Sequence, residues 1–209
     1  HDPLRILIVS DEVNPHALTR HQGLIANPNC STIIMLVPLA PLHRAVRLRR
    51  IIVSTYQSVS GAGAKAMAQL YHETKAALRQ LSVSGSELRV DPRLRTRKPR
   101  LPTPLPAQIA FNVIPQVDAF TEDRYTREEM KMANETRKIL EEPALAISAT
   151  CVRVPVFIAH SEAVWIETER PLSVEQARRL LRAAPGVRLV DEPARGAYPI
   201  RFARGCTPL

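Results

Sequence analysis

Residues 27–32 read Asn-Pro-Asn-Cys-Ser-Thr, and an apolar run from Ile33 to Leu42 follows at once. Asn-Pro-Asn is a turn former, and Ser31 and Thr32 suit the first turn of a helix. The stretch therefore dictates a turn-to-helix junction with Cys30 at or just before the helix N-terminus. Unpaired N–H groups and the helix macrodipole stabilise an anion there. A thiol in such a place can have its pKa lowered to roughly 3.5–7.5. The hexapeptide has the build of a nucleophilic cysteine site.

Composition limits what can surround that junction. A chain of 209 residues with 45% apolar content can bury the core of one domain or of two small ones. Its longest apolar run is interrupted by Pro38 and Pro41. That is well short of the roughly 18 apolar residues a membrane span needs, so no membrane association is expected. The opening His1-Asp2-Pro3 lacks the basic start and apolar stretch of a signal peptide. The three cysteines, 30, 151 and 206, are odd in number and widely spaced, and there is no CxxC or HExxH. Reduced thiols in a cytoplasmic protein are expected, with no metal site. The net charge of +9 raises nucleic acid as a partner, but 4% aromatic content is too little for a stacking platform. Much of the excess lies between Arg89 and Arg100, either a solvated loop or a surface that attracts anions.

Along the chain, Arg5–Ser10 reads as a short buried strand and residues 30–46 as a helix that Pro38 would kink or break. Ile51–Ser60 is β-branched and reads as a strand ended by Gly61-Ala-Gly63. Ala64–Leu81 follows as an amphipathic helix with Met67, Leu70, Tyr71, Leu78 and Leu81 near one stripe. Residues 82–107 lose periodicity, and Ile109–Asp118 reads as a strand. Thr126 and Glu129 form a capping box for a helix to about Leu140. Ile147–Val156 and Phe157–Thr168 read as two strands or one bent strand. Ser173 starts a helix to about Ala184, and Val187–Asp191 is a last strand. This order predicts an α+β fold: a mixed, largely antiparallel sheet with helices packed on one face. No GxGxxG follows a first strand, so the dinucleotide-binding signature is absent from this chain.

Other clusters carry chemistry beside Cys30. Ser54–Gly63 places a polar strand end, with Gln57, next to glycines that permit close approach of a ligand. Glu128 and Lys131, at i and i+3, share a helix face and read most simply as a surface ion pair. In Cys151–His160, Arg153 is a charge within an apolar strand and needs a partner. His160 falls on the opposite face of a regular strand unless Pro155 bends the chain. A cysteine with a histidine is the pair that thiol catalysis uses. Cys151 and Cys206 read as ordinary thiols.

Taken together, the blocks Gly23–Ile33, Ser54–Gly63, Ile109–Asp118, Tyr125–Met132, Glu135–Ile139 and Thr150–Ser161 resemble the aspartate-β-semialdehyde dehydrogenase family in order and spacing, its bacterial branch most. The resemblance implies an NADP-dependent enzyme that converts L-aspartyl-4-phosphate to L-aspartate-4-semialdehyde and phosphate through a cysteine thioester. It also implies a homodimer and a place in biosynthesis of Lys, Met, Thr and diaminopimelate. Cys30 matches the nucleophile, Gln57 the residue that orients the acyl group and His160 the general acid/base. Arg153 matches the clamp on the substrate α-carboxylate, Glu128 the acceptor of its amino group, and Lys131 and Asn29 the phosphate site. Ser60, Gly61 and Gly63 lie where the family brings backbone close to the cofactor. Residues 1–29 are expected to be the edge of the dinucleotide-binding domain and 30–209 the catalytic and dimerisation domain. The segment alone is expected to have little or no turnover, because the glycine-rich phosphate turn is not in it. Arg124 stands where a glycine is usual. Two rivals are a catalytically silent dimerisation module and a related acyl-phosphate reductase acting on N-acetyl-glutamyl phosphate.

Overall fold

A computed structural model of the chain describes residues 7–8, 10, 12–21, 23–84, 87–89 and 104–199. Cys206 and the basic stretch from Arg93 to Arg100 lie outside them. The elements are β1 (Leu7–Ile8), β2 (Ile25–Ala26), α1 (Cys30–Val46), β3 (Leu48–Gln57), α2 (Ala64–Leu78), β4 (Ser82–Ser84), β5 (Glu87–Arg89), α3 (Arg127–Ile139), β6 (Ala146–Arg153), β7 (Ser161–Thr168) and α4 (Val174–Ala183). β3 lies between β6 and β7. Just beyond the strand ends, the Val154 N–H donates to Gln57 O and the Glu169 N–H to Arg47 O. β6 therefore runs with β3 and β7 against it, a mixed sheet, and the fold is α+β as expected. β1 and β2 pair in parallel and β4 and β5 antiparallel.

The chain forms two compact units. The first comprises His1–Val53, Met130–Ala149 and Val164–Leu209, and the second Ser54–Glu129 and Thr150–Ala163.

In the first unit, α1 begins where the sequence predicts. The Asn29 side chain accepts from the N–H groups of Ser31 and Thr32, so Asn29 is the N-cap and Cys30 the first helical residue. Pro38 and Pro41 do not break the helix. Each proline removes the N–H that would bond the carbonyl four residues back, on Ile34 and Val37. Ile34, Val37 and both prolines are only half-buried or exposed, so water can serve the released carbonyls. The opposite face buries Met35, Leu36, Leu39, Leu42 and Val46 at helical spacing, and that burial outweighs the lost bonds. α4 has Ser173 as N-cap, whose hydroxyl accepts from the Gln176 N–H at 3.2 Å. The strand expected over Val187–Asp191 does not form: the Val187 N–H turns back to Ala184 O, and the Asp191 carboxylate is held by Arg178 at 2.7 Å.

In the second unit, Val59, Ala66, Leu70, Leu105, Ile109, Ala110 and Ile114 form the core. Three expectations need correction here. β3 stops at Gln57 rather than Ser60, because Val59–Ala62 coils into a 3-10 turn. The turn's Val59 and Ser60 N–H groups donate to Val156 O and Phe157 O. The buried face of α2 carries Gln69 and Glu73 beside Leu70, whereas Tyr71 and Leu78 are exposed. Ile109–Asp118 is not a strand, although Ile114 bridges Arg153 antiparallel. The Glu73 carboxylate takes the N–H groups of Ile109 and Ala110, and Phe111 and Asp118 adopt left-handed φ values of 57° and 69°.

Candidate active site

The predicted site residues divide between the units. Asn29, Cys30 and Lys131 belong to the first, and Gln57, Ser60, Gly61, Gly63, Glu128, Arg153 and His160 to the second.

In the first unit, Cys30 is exposed at the start of a 17-residue helix whose cap is supplied by its neighbour. The Asn29 N–H donates to the Glu135 carboxylate at 2.8 Å, which ties the cap to α3. The turn is thereby held from both sides, and the cysteine side chain is left to solvent.

In the second unit, α3 starts with the predicted capping box. The Thr126 N–H donates to Glu129 Oε2 at 2.7 Å, and the Glu129 N–H to Thr126 Oγ1 at 3.4 Å. Within the same turn Glu128 is 5% exposed, so its carboxylate is buried rather than at the surface. It accepts from Gln57 Nε2 at 3.1 Å, while the same nitrogen donates to Thr55 Oγ1 at 3.2 Å. The Gln57 amide is thus fixed in orientation at the end of β3.

Arg153 is buried at the end of β6 and donates from Nη1 to Ser58 O at 2.7 Å. His160 sits in the connection from β6 to β7, past the Pro155 bend. Its Nδ1 accepts from the Ser58 N–H at 3.0 Å and lies 3.1 Å from Ser58 Oγ. Both side chains converge on Gly61. A Cβ there would stand 3.3 Å from Arg153 Nη1 and 3.5 Å from His160 Nε2. The bend therefore brings together two residues that a regular strand would separate, and Gly61 makes room for them. Gly63 has φ +87°, which L side chains rarely adopt, and nothing lies within 4 Å of where its Cβ would be.

The electrostatics follow from burial. Burial holds the His160 imidazole below its ordinary range, reinforced by the Arg153 charge and opposed by the Ala159 backbone and Glu128. Burial pushes the Cys151 thiol up to about 12, against a hydrogen bond with Thr55 and with Glu128, Glu129 and Glu162 adding to the rise. Cys151 is therefore inert, as the β pattern implied.

Glu162 is a residue that the sequence reading passed over. Among the described residues neither of its buried carboxylate oxygens has a hydrogen-bond partner. Burial, then the charge of Glu128, pushes it up to about 8. Only its position two residues past His160 hinted at it. Its ordinary value is 4.5, so folding takes up a proton between pH 4.5 and 8, and stability falls as pH rises through that window. Glu162→Gln keeps the neutral shape without the titration. It is expected to match the parent near pH 4.5 and to exceed it by about 2 kcal/mol at pH 9. Thermal unfolding at the two pH values reads the difference, and equal gains at both would contradict it.

The fold is α+β, with a capped, exposed cysteine in the first unit and a buried Gln–Glu pair beside Arg153 and His160 in the second. A family model described as semialdehyde dehydrogenase, dimerisation domain, matches residues 39–204. The aspartate-semialdehyde dehydrogenase of Aquifex aeolicus is 46% identical over 195 residues, covering 92% of this chain and 53% of that protein. The Bacillus subtilis enzyme of the same name is 47% identical over 194 residues, with 92% and 53% covered. The crystal structure of aspartate semialdehyde dehydrogenase II from Vibrio cholerae complexed with ASA superposes with a TM-score of 0.77, at 43% identity, over 88% of this chain and 51% of that one. The chain belongs to the semialdehyde dehydrogenase family. It spans about half the length of the curated relatives it matches.

Proposed function

We propose that this chain is the catalytic and dimerisation part of an aspartate-semialdehyde dehydrogenase that works as a homodimer and uses NADP. Residues 1–29 are the edge of its dinucleotide-binding domain, and the segment by itself turns over little or not at all. The observation that carries the reading is the convergence of Arg153 and His160 on Gly61, with Glu128 held by Gln57. An amino-acid substrate needs a guanidinium for its α-carboxylate and a carboxylate for its ammonium, and Arg153 and Glu128 supply them.

In the biosynthetic direction the Cys30 thiolate attacks the acyl carbon of aspartyl phosphate. A C–S bond forms, the C–O bond to phosphate breaks, and phosphate leaves toward Asn29 and Lys131. Gln57 orients the acyl group. NADP in its reduced form, when bound along Ser60, Gly61 and Gly63, supplies the hydride that reduces the thioester. His160 moves the proton of the substrate oxygen as the C–S bond breaks and the aldehyde departs. The net charge of +9 suits a substrate that is anionic at both ends.

The test is an assay of the full-length protein with aspartate semialdehyde, phosphate and NADP, followed by absorbance of the reduced nicotinamide. Turnover is expected with this aldehyde and not with N-acetylglutamate semialdehyde. The reverse preference would favour the related acyl-phosphate reductase. Failure with both, from a folded dimer, would favour a silent module.

A further inference from the structure

His160 presents a problem of proton placement. The Ser58 main-chain N–H donates to Nδ1 at 3.0 Å, so the neutral ring in this arrangement carries its proton on Nε2. Such a ring can give a proton at Nε2 but cannot receive one there. To receive at Nε2, the ring must place a proton on Nδ1, where it faces the N–H of Ser58. Ser58 Oγ, 3.1 Å from the same nitrogen, is a side-chain oxygen that can accept that proton's hydrogen bond.

Ser58 is fully buried, and its hydroxyl lies 2.9 Å from Ser60 Oγ. Ser60 is only partly buried, at the edge of the turn. The three groups form a row: His160 Nδ1, Ser58 Oγ, Ser60 Oγ, then solvent. A hydroxyl is both donor and acceptor, so the row can be read in either direction by turning two O–H bonds.

We infer that Ser58 is a positioning residue whose hydroxyl, with that of Ser60, lets His160 alternate between its two proton arrangements. When the neutral ring gives its Nε2 proton to the substrate oxygen, Ser58 Oγ passes its own proton to Nδ1 and takes one from Ser60, which is refilled from water, so the ring stays neutral. When it takes one up at Nε2, Nδ1–H donates to Ser58 Oγ, whose own O–H turns to Ser60. The exchange itself balances: Nδ1–H passes its proton to Ser58 Oγ, Ser58 to Ser60 and Ser60 to water. The charged groups that face the ring are Arg153 on β6 and Glu128 on α3, and the Ala159 backbone also favours the protonated ring. The inference rests on the proposed role of His160 in proton transfer.

Ser58→Ala in the full-length enzyme tests it with two readouts. In the first, NMR of 15N-labelled histidine follows the titration of His160. Without the hydroxyl, Nδ1–H loses an acceptor, and the pKa is expected to fall by roughly one unit. In the second, steady-state kinetics are expected to show kcat reduced about tenfold or more, KM within about twofold, and a displaced pH profile. An unchanged titration overturns the role of the hydroxyl whatever the activity. A shifted titration with unchanged kcat overturns the relay. His160→Gln is the control: full turnover there overturns the reading of His160 itself, a failure the titration of Ser58→Ala tells apart.

Discussion

Replacing Cys30 with serine is expected to lower turnover of the full-length enzyme by at least about 10³-fold with little change in stability. The two halves of that statement have separate causes. Cys30 is exposed at the first position of α1, so its sulfur adds little to the core. The helix start is held by Asn29, whose side chain caps Ser31 and Thr32 and whose N–H is bound to Glu135. Serine fits the same place, but a hydroxyl is a far weaker nucleophile at neutral pH and a poorer leaving group from the thioester stage. Among the described residues the other thiol, Cys151, cannot substitute, since it is buried and pushed up to about 12. Mass spectrometry of enzyme quenched during turnover should find the acyl group on Cys30 in the parent and nowhere in Cys30→Ser. A variant that keeps more than a tenth of the parent kcat would remove Cys30 from the mechanism.

What could be read from the sequence is what is set within one helical turn. The helix start at Cys30, the Thr126–Glu129 box and the Ser173 cap all rest on partners two or three residues away. The strands β6 and β7 were legible from their residue types. What could not be read depends on groups far apart in the chain. Ile109–Asp118 has the apolar content of a strand, yet its first N–H groups are taken by Glu73, 36 and 37 residues earlier. Apolar content alone predicts the α2 stripe, yet the helix buries Gln69 and Glu73 instead of Tyr71 and Leu78. Proline inside α1 predicts a kink or a break because propensity is local, whereas the burial that sustains the helix is not. The site behaves likewise. Its residues are legible through family resemblance; the Gln57–Glu128 bond spans 71 residues, and Glu162 offers only its place two residues past His160.

Glu73 offers the largest expected effect on stability, and it reaches the site through the backbone. One carboxylate oxygen accepts the Ile109 N–H at 2.7 Å and the Ala110 N–H at 3.2 Å, and the other accepts Gln69 Nε2 at 2.8 Å. Gln69 Oε1 in turn accepts the Leu105 N–H at 3.2 Å. Two polar side chains one turn apart on α2 thus hold residues 105–110 against the helix, in the position a strand partner would otherwise take. From there the chain runs to Ile114, which exchanges backbone hydrogen bonds with Arg153 at 2.9 and 2.8 Å. Glu73→Ala leaves two buried N–H groups and an amide without their acceptor, a cost of about 3–5 kcal/mol. Glu73→Gln keeps one oxygen for the N–H groups but presents an NH₂ to Gln69, at about 1–2 kcal/mol. Urea unfolding should show the midpoint falling in that order with the slope unchanged. Because the loop sets the register opposite Arg153, the folded Glu73→Gln enzyme should also show a raised KM for aspartate semialdehyde with kcat less affected. Wild-type stability in Glu73→Ala would mean that the 105–110 segment is held by its apolar contacts alone.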